Sequence, residues 1–155
     1  ANWHIRWPYD HAQGRTLPLR YIRGMQSDWF SSLSLEAFAS AEFDISNKSD
    51  RVGMRLDGPK MTRVTDAEMV SQAVVRGSIQ VPPDGTPIVL MAECQTIGGY
   101  PQIGHVISAD LPKLMRMGIG ASLRFREVTL DEARRAWDEI DLDMKFLRTG
   151  LEFMK

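Results

Sequence analysis

Residues 93–104, with the sequence ECQTIGGYPQIG, combine polar side chains, paired glycines and an aromatic ring between two apolar runs. Because glycine lets the backbone approach a ligand closely, the amides of this segment could form a concave nest for a carboxylate or a phosphate. The alternative is a tight connection between two central strands, in which Gly98 or Gly99 adopts a positive φ. The residues alone favour the tight connection. The candidate ligand contacts are Gln95, Thr96, Gly98, Gly99 and Tyr100.

Two arginines and an aspartate elsewhere in the chain offer charges for binding. We expect Arg51 and Arg55 to share one face of a strand, where their guanidinium groups could bind a carboxylate bidentately. The alternative is that both form exposed ion pairs with Asp50 and Asp57. Asp84 lies between two prolines and a glycine, which favours a turn in which its carboxylate accepts a hydrogen bond from its own backbone, although it could also orient a substrate.

The remaining reactive side chains form no recognisable catalytic set. His105 opens an apolar run, where it could be a general base, but a histidine that is simply hydrogen-bonded is more common there. Cys94 follows Glu93, whose charge discourages thiolate formation, so we expect a packed side chain. The three histidines and one cysteine lack zinc-ligand spacing, and no metal site is expected. Since G-x-S-x-G, Walker and G-x-G-x-x-G motifs are also missing from the sequence, the catalytic residues stay unassigned.

The composition indicates one globular domain over residues 1–155. Of the 155 residues, 43% are hydrophobic and 25% are charged, as is usual for a compact domain. The formal net charge is −1, without a basic block, which argues against nucleic acid and anionic membranes as partners. A lone cysteine, short apolar runs and no signal-peptide pattern predict a cytoplasmic protein. Because the chain begins at Ala1 with a Trp-rich lead-in over residues 1–16, we expect the C-terminal half of a longer subunit.

Short β-type runs separated by turn residues predict a mainly β domain with peripheral helices, either a barrel or a sandwich. A hairpin is expected where two of these runs flank the polar residues 47–50. The predicted strands have the sequences PLRYIR, FDISN, RVGMRLDG, SIQVP, PIVLMAE, GHVISA and SLRFREV.

Three segments have helical patterns. Ser34 is a candidate N-cap for a short helix in residues 34–43, and LPKLMRMG predicts one or two further turns. Thr129 and Glu132 have the capping-box spacing at the start of a C-terminal helix over residues 129–149. Apolar residues then recur at helical intervals, at Leu130, Ala133, Trp137, Ile140 and Met144.

The longest motif of the chain resembles that of a known family. The run SIQVPPDGTPIVLMAECQTIGGYPQIGHVISADLPKL is similar to the hallmark of the biotin-dependent carboxyltransferase family, also called allophanate hydrolase subunit 2 or KipA. SDRVGMRLDGP resembles a second motif of that family, and the similarity extends over most of the chain. Glu93, Cys94 and Ile97 stand where the family more often has aspartate, arginine and threonine, and the missing arginine removes a fixed cation.

The resemblance implies a cyclophilin-like β-barrel and a role as one part of a multi-part enzyme. Members act in ATP-dependent 5-oxoprolinase, in allophanate hydrolase or as carboxyltransferase parts of urea carboxylases, so the substrate stays open. The expected partners are the N-terminal half of the same subunit, a KipI-like subunit and a LamB/YcsF-like subunit. No covalently bound cofactor is expected. ATP, and carboxybiotin in a carboxyltransferase, would be supplied through the other subunits.

The resemblance also extends the candidate site, because it places residues 95–100 at the mouth of a shared active site. Gln80 and Asp84 would complete this mouth, and Arg51 or Arg55 would anchor a carboxylate. A different class of function also stays open, namely a regulatory module that pairs with a KipI-like protein without catalysis. Ligand protection of the loop would indicate an enzyme part, whereas partner protection only on exposed Trp or Met patches would indicate the regulatory module.

Overall fold

The structure is a computed structural model that describes residues 16–152. The predicted lead-in segment lies outside this range except for its last residue. Within the range, the strands are β1 (Leu17–Arg23), β2 (Glu42–Ile45), β3 (Gly53–Asp57), β4 (Gln72–Ala73), β5 (Ser78–Gln80), β6 (Ile88–Leu90), β7 (Ile97–Gly98), β8 (Gln102–Val106) and β9 (Ser122–Glu127). The helices are α1 (Ser32–Ser40), α2 (Leu111–Met115) and α3 (Leu130–Glu152), with two 3-10 turns at Ser27–Trp29 and Ser108–Asp110.

Seven of the described strands form a closed barrel in the order β1-β8-β5-β6-β3-β2-β9. Neighbouring strands are antiparallel except for β1 and β9, which run parallel from Leu17↔Leu123 to Tyr21↔Glu127 and close the barrel. β4 and β7 pair with each other as a separate ribbon. The predicted mainly β barrel with peripheral helices and a C-terminal helix is therefore confirmed.

An aromatic cluster in the core explains why α1 packs against β9. Phe38 of α1 is fully buried, and its ring stacks on Phe125 of β9 at a centroid distance of 4.4 Å. Tyr21 of β1 meets both rings edge-on. Each aromatic pair adds about 0.5–1.5 kcal/mol beyond the apolar burial, so the barrel holds α1 in place. Burial also raises the pKa of Tyr21 to about 12, so its hydroxyl stays protonated.

The start of α1 differs from the sequence prediction. Ser31 rather than Ser34 is the N-cap, and its Oγ accepts the amide of Ser34 at 3.1 Å. Ser34 lies inside the first turn and is buried, where its Oγ accepts the amide of Thr62 at 2.8 Å. The prediction of Ser34 as N-cap was wrong because both serines fit the capping pattern, and only this tertiary contact distinguishes them. The helix ends at Ser40, so Phe43 belongs to β2.

The predicted hairpin and the predicted C-terminal helix are both confirmed. β2 and β3 pair antiparallel, and Asp50 in the turn between them accepts two backbone amides, each at 2.9 Å. Thr129 Oγ1 accepts the amide of Glu132 at 3.2 Å, and Glu132 accepts the amide of Thr129 at 2.7 Å, which is the capping box. α3 continues past the predicted end, to Glu152. Among residues 16–152, no helix has both the length and the apolar character needed to cross a bilayer.

A buried carboxylate ties β1 to the 3-10 turn before α2. Asp110 has no solvent exposure, and the Arg20 guanidinium binds its two oxygens at 2.7 and 3.0 Å. The Arg20 amide and Lys113 Nζ donate to the same carboxylate at 2.8 and 2.9 Å. Burial alone would raise the pKa of Asp110, but the hydrogen bonds from Arg20 and Lys113 outweigh it, so the pKa lies below its ordinary value.

We expect Asp110→Asn to lower the free energy of unfolding at pH 7 by about 3 kcal/mol, because Arg20 and Lys113 would lose the charge they pair with. The native pKa of Asp110 lies below its unfolded value of about 3.9. The carboxylate therefore contributes its full stabilisation above that pH and loses it as the pH falls through the native pKa. Urea denaturation of both proteins should show a difference that shrinks below a pH of about 4.

The matched control is Asp66→Asn, at an exposed carboxylate, which should change the unfolding free energy by less than about 0.5 kcal/mol. If Asp110→Asn is as stable as this control at pH 7, the buried network does not stabilise the fold.

Candidate functional site

The ribbon of β4 and β7 lies against the outer face of the barrel. Val74 beside β4 packs with Ile88 and Leu90 of β6 in an apolar cluster outside the barrel core, and Cys94 packs against this cluster as expected. The expectation of a tight connection between two central strands is wrong, because β5 lies between β6 and β8. Residues 91–101 instead leave the barrel and form β7.

Gln80 of β5 joins the barrel face to the ribbon. It is only 2% exposed, and its Nε2 donates to the carbonyl oxygen of Tyr100 at 3.2 Å. A Cβ added at Gly98 would overlap Gln80 Nε2 and would stand 3.0 Å from Cγ1 of Val74. Glycine at position 98 therefore lets the ribbon approach the glutamine closely, and a larger residue there would have to displace the Gln80 amide.

The expected positive φ in the glycine pair is not observed. In residues 16–152, the glycines with positive φ are Gly77, Gly85 and Gly120. Gly99 also lacks the crowding of Gly98, since the nearest atom to a Cβ built on it is Ser71 Oγ at 3.8 Å. The two neighbouring glycines therefore differ in role. Gly98 leaves room for the Gln80 side chain, whereas Gly99 is exposed to solvent.

Arg55 shares the outer barrel face with Gln80. Both residues pair with Ile88 of β6, Gln80 from β5 and Arg55 from β3. Side chains of directly paired residues point to the same face, and adjacent strands are about 4.8 Å apart. The Cα atoms of Gln80 and Arg55 are therefore separated by about 10 Å across Ile88. Because Gln80 is buried beneath the ribbon, a small ligand on this face would contact the exposed Arg55 guanidinium rather than the glutamine amide.

Arg51 lies away from this face. The prediction that Arg51 and Arg55 share a strand face is wrong, because β3 begins at Gly53, after Arg51. The Arg51 guanidinium is largely exposed and contacts Glu93 Oε1 at 3.4 Å, and the Arg51 carbonyl oxygen accepts the Glu93 amide at 3.1 Å. Arg51 therefore contacts the start of the segment that leads to β7 mainly through its backbone, because an exposed ion pair of this kind adds little stability.

Asp84 lies in the turn between β5 and β6, as its sequence pattern predicts. Its Oδ1 accepts the Thr86 amide at 3.0 Å and its Oδ2 accepts the Thr86 hydroxyl at 3.1 Å. The following residue, Gly85, has a φ of +77°. The hydrogen bond from the Thr86 amide lowers the pKa of Asp84, with smaller contributions from the Thr86 hydroxyl and the charges of Lys60 and Arg55. The turn therefore holds an ionised carboxylate near Arg55.

Three glutamines that sequence analysis did not single out attach the ribbon to the barrel. The side-chain amides of Gln26 and Gln72 exchange hydrogen bonds at 2.9 and 3.3 Å, and Gln26 Oε1 accepts the Gln102 amide at 3.1 Å. Gln102 lies inside the ECQTIGGYPQIG segment, so the sequence could have marked it as part of the site. Nothing in the sequence marks Gln26 or Gln72, because glutamine is usually exposed and only the structure shows that Gln26 is 9% exposed.

The segment around β7 carries the remaining predicted ligand contacts. Gln95, Thr96 and Tyr100 are exposed there together with Gly99, and the Thr96 carbonyl oxygen accepts the Val74 amide at 3.0 Å. This segment therefore presents polar side chains to solvent.

His105 lies farther along β8, beyond this site. Its Nδ1 is 3.4 Å from Ser78 Oγ, which matches the hydrogen-bonded histidine that the sequence favoured. Burial lowers the pKa of His105, so the imidazole is neutral at pH 7. Within the described part of the chain, no group of three or more His, Cys, Asp and Glu side chains is arranged to hold a metal ion.

A family match covers the barrel and the ribbon. Residues 3–127 match the family described as carboxyltransferase domain, subdomain A and B. The chain belongs to this family. The resemblance seen in the motif sequence is therefore confirmed, and the matched range includes all nine described strands but not α3.

Two curated relatives of the chain are named as subunits of 5-oxoprolinase. The Haemophilus influenzae protein is 40% identical over 133 residues, which are 82% of this chain and 43% of that protein. The Escherichia coli protein is 38% identical over 118 residues, which are 76% of this chain and 38% of that protein. The chain thus spans about two fifths of these relatives. The crystal structure of Kluyveromyces lactis urea carboxylase shares the fold, with a TM-score of 0.73 and 20% identity over 79% of this chain and 12% of that one.

We expect Gly98→Ala to lower the free energy of unfolding by about 1–2 kcal/mol, because the new methyl group must displace the buried Gln80 amide. Gly99→Ala is the matched control and should change it by less than about 0.5 kcal/mol, since this residue is exposed and has no positive φ. Urea denaturation of the wild type and both variants measures the two effects.

A Gln80→Ala background isolates the contact. With Gln80 truncated, Gly98→Ala should destabilise the protein less than it does in the wild type, and the double-mutant cycle gives the coupling between the two positions. An equal loss in both backgrounds would mean that Gln80 is not the reason for glycine at position 98.

Proposed function

We propose that the chain is one part of a multi-part, ATP-dependent, amide-processing enzyme of the 5-oxoprolinase type. We further propose that its substrate binds at Arg55 and the exposed residues Gln95, Thr96, Gly99 and Tyr100, which we call the ribbon site. The observation that carries the proposal is the identity of 38–40% to proteins named as 5-oxoprolinase subunits. Because the chain spans about two fifths of those relatives, it would act together with the rest of its subunit. The fold shared with urea carboxylase does not distinguish 5-oxoproline from the other candidate substrates.

The groups at the ribbon site suit the chemistry of 5-oxoproline, which is a cyclic amide with one carboxylate. Arg55 is a permanent cation that could bind the carboxylate through two parallel hydrogen bonds. Gln95, Thr96 and the exposed backbone at Gly99 could hydrogen-bond the ring amide. Hydrolysis adds water across the ring C–N bond and yields glutamate, with ATP supplied through another subunit. Among the described residues we assign the roles of binding and orientation, and no general base.

The residues in and beside β7 suit contact with the rest of the enzyme. Ile97 and Tyr100 are 63% and 45% exposed beside the polar groups of the loop, and exposed apolar side chains that adjoin a site often mark contact with a partner. We propose that the N-terminal half of the same subunit lies there. KipI-like and LamB/YcsF-like subunits would complete a cytoplasmic assembly.

Turnover by the reconstituted assembly tests this function. The chain is co-expressed with the N-terminal half of its subunit and the two partner subunits, and ATP hydrolysis is measured with 5-oxoproline, or with urea and a biotin carrier. Hydrolysis that depends on 5-oxoproline supports the proposal. Turnover only with urea and the biotin carrier would reassign the chain to a carboxyltransferase, and no turnover by a folded, stable assembly would favour the regulatory module.

The two arginines give a sharper test inside an active assembly. Arg55→Ala should raise the KM for 5-oxoproline by about tenfold to a hundredfold, because a hydrogen bond between charged groups contributes about 1.5–3 kcal/mol. Arg51→Ala should have the smaller effect, because Arg51 already pairs with Glu93 away from Gln80. If steady-state kinetics show a larger rise in KM for Arg51→Ala than for Arg55→Ala, then Arg51 is the residue that binds the carboxylate.

A further inference from the structure

The apolar residues of α3 follow a coiled-coil repeat over its whole length. Alternating steps of three and four positions connect Leu130, Ala133, Trp137, Ile140, Met144, Leu147 and Leu151. In heptad notation the series starts with an a position and alternates between a and d. A repeat kept over three heptads is typical of a helix that packs along another helix.

The barrel covers only part of this repeat. Ala133, Ala136 and Ile140 pack against the barrel, and past Ile140 every described residue of α3 is exposed except the half-buried Leu147. The a positions stay open along the whole helix, because Leu130, Trp137, Met144 and Leu151 are 55%, 50%, 55% and 53% exposed. We call these four residues the a-strip. With a rise of 1.5 Å per residue, it is about 32 Å long.

The a-strip continues onto the barrel surface. Leu130 and Trp137 line a groove of about 350 Å³ whose opposite wall includes Ile22 and Ile107. The groove and the a-strip therefore form one apolar surface, which is larger than a scatter of single exposed side chains and suits an interaction partner.

Charges beside the a-strip indicate which partner fits. The neighbouring e positions alternate in sign and are Arg134, Asp141 and Arg148, all exposed. In a two-fold pair, if residue i contacts residue j, then j also contacts i. An antiparallel pair of α3 helices that sets Asp141 opposite Arg148 of the second copy therefore forms two equivalent ion pairs, with the two-fold axis near Met144.

The same alignment also pairs the apolar residues of the a-strip, apart from Leu130, whose counterpart would lie beyond the end of the second helix. It places Leu151 of each copy beside Trp137 of the other, at the groove, and it keeps the two barrels at opposite ends of the helix pair. A parallel pair would bring both barrels to the same end. The antiparallel pair is therefore the arrangement in which charge, apolar contact and space agree.

We propose that α3 is a homodimerisation surface that binds α3 of a second copy in antiparallel orientation. The contact would bury on the order of 1,000 Å² in total, near the lower limit for a specific interface. The dimer should therefore be reversible and should form over micromolar concentrations. This inference does not depend on the proposed enzymatic activity.

Sedimentation equilibrium of the full 155-residue chain tests the dimer. The apparent mass should rise from 17.5 kDa towards twice that value with concentration. Met144→Asp should prevent the rise. Leu142→Asp, on another side of the same helix and similarly exposed at 52%, should not. A wild type that stays monomeric at every concentration, or two variants that behave alike, would overturn the proposal.

Charge reversal tests the orientation. Asp141→Arg and Arg148→Glu should each weaken self-association by about tenfold, because each turns two attractive pairs into repulsive ones. Mixing the two variants should restore association, since every pair across the mixed dimer is then attractive. Circular dichroism checks that both variants keep their helix content, because Asp141 also pairs with Lys145 at 2.6 Å. A mixture that associates no better than the separate variants would rule out the antiparallel contact.

Discussion

The parallel pairing of β1 with β9 closes the barrel, and both the site and α3 depend on it. The pairing runs from Leu17↔Leu123 to Tyr21↔Glu127, and an ion pair between Arg23 and Glu127 at 2.8 Å extends it. Closure removes the open edges that the seven barrel strands would otherwise expose. It also fixes the end of β9, from which α3 begins over β1. The outer face that carries the ribbon therefore has a rigid support.

The candidate site is built on the outside of this closed core. Apolar side chains such as Ile79 and Val89 point inward and are fully buried, so the outward positions of the same strands can carry polar groups without disturbing the core. The ribbon is attached to that outer face by a small apolar cluster and by side-chain amides. Such an attachment is weaker than the strand pairing of the barrel. The ribbon is therefore the part of the site best able to adjust to a ligand.

Local patterns predicted most of the elements, because strand alternation and capping boxes depend on neighbouring residues. They could not show that β1 pairs with β9, since that contact depends on the whole chain. At the site, the motif marked Gly98 and favoured a positive φ, whereas the structure shows a close approach to Gln80, because these two needs for glycine look alike in sequence. The choice between Ser31 and Ser34, and the role of Gln26, likewise depend on distant contacts.

The order of the strands has a consequence for synthesis of the chain. β1 is the first described strand to be translated, yet its neighbours β8 and β9 come late, and Arg23 and Glu127 bond across 104 positions. Until those strands exist, both edges of β1 lack hydrogen-bond partners and can pair with other chains. Contacts so distant in sequence also form slowly. The nascent chain therefore carries an unpaired LPLRYIR segment until β8 and β9 have been translated, and chaperone protection would matter most there.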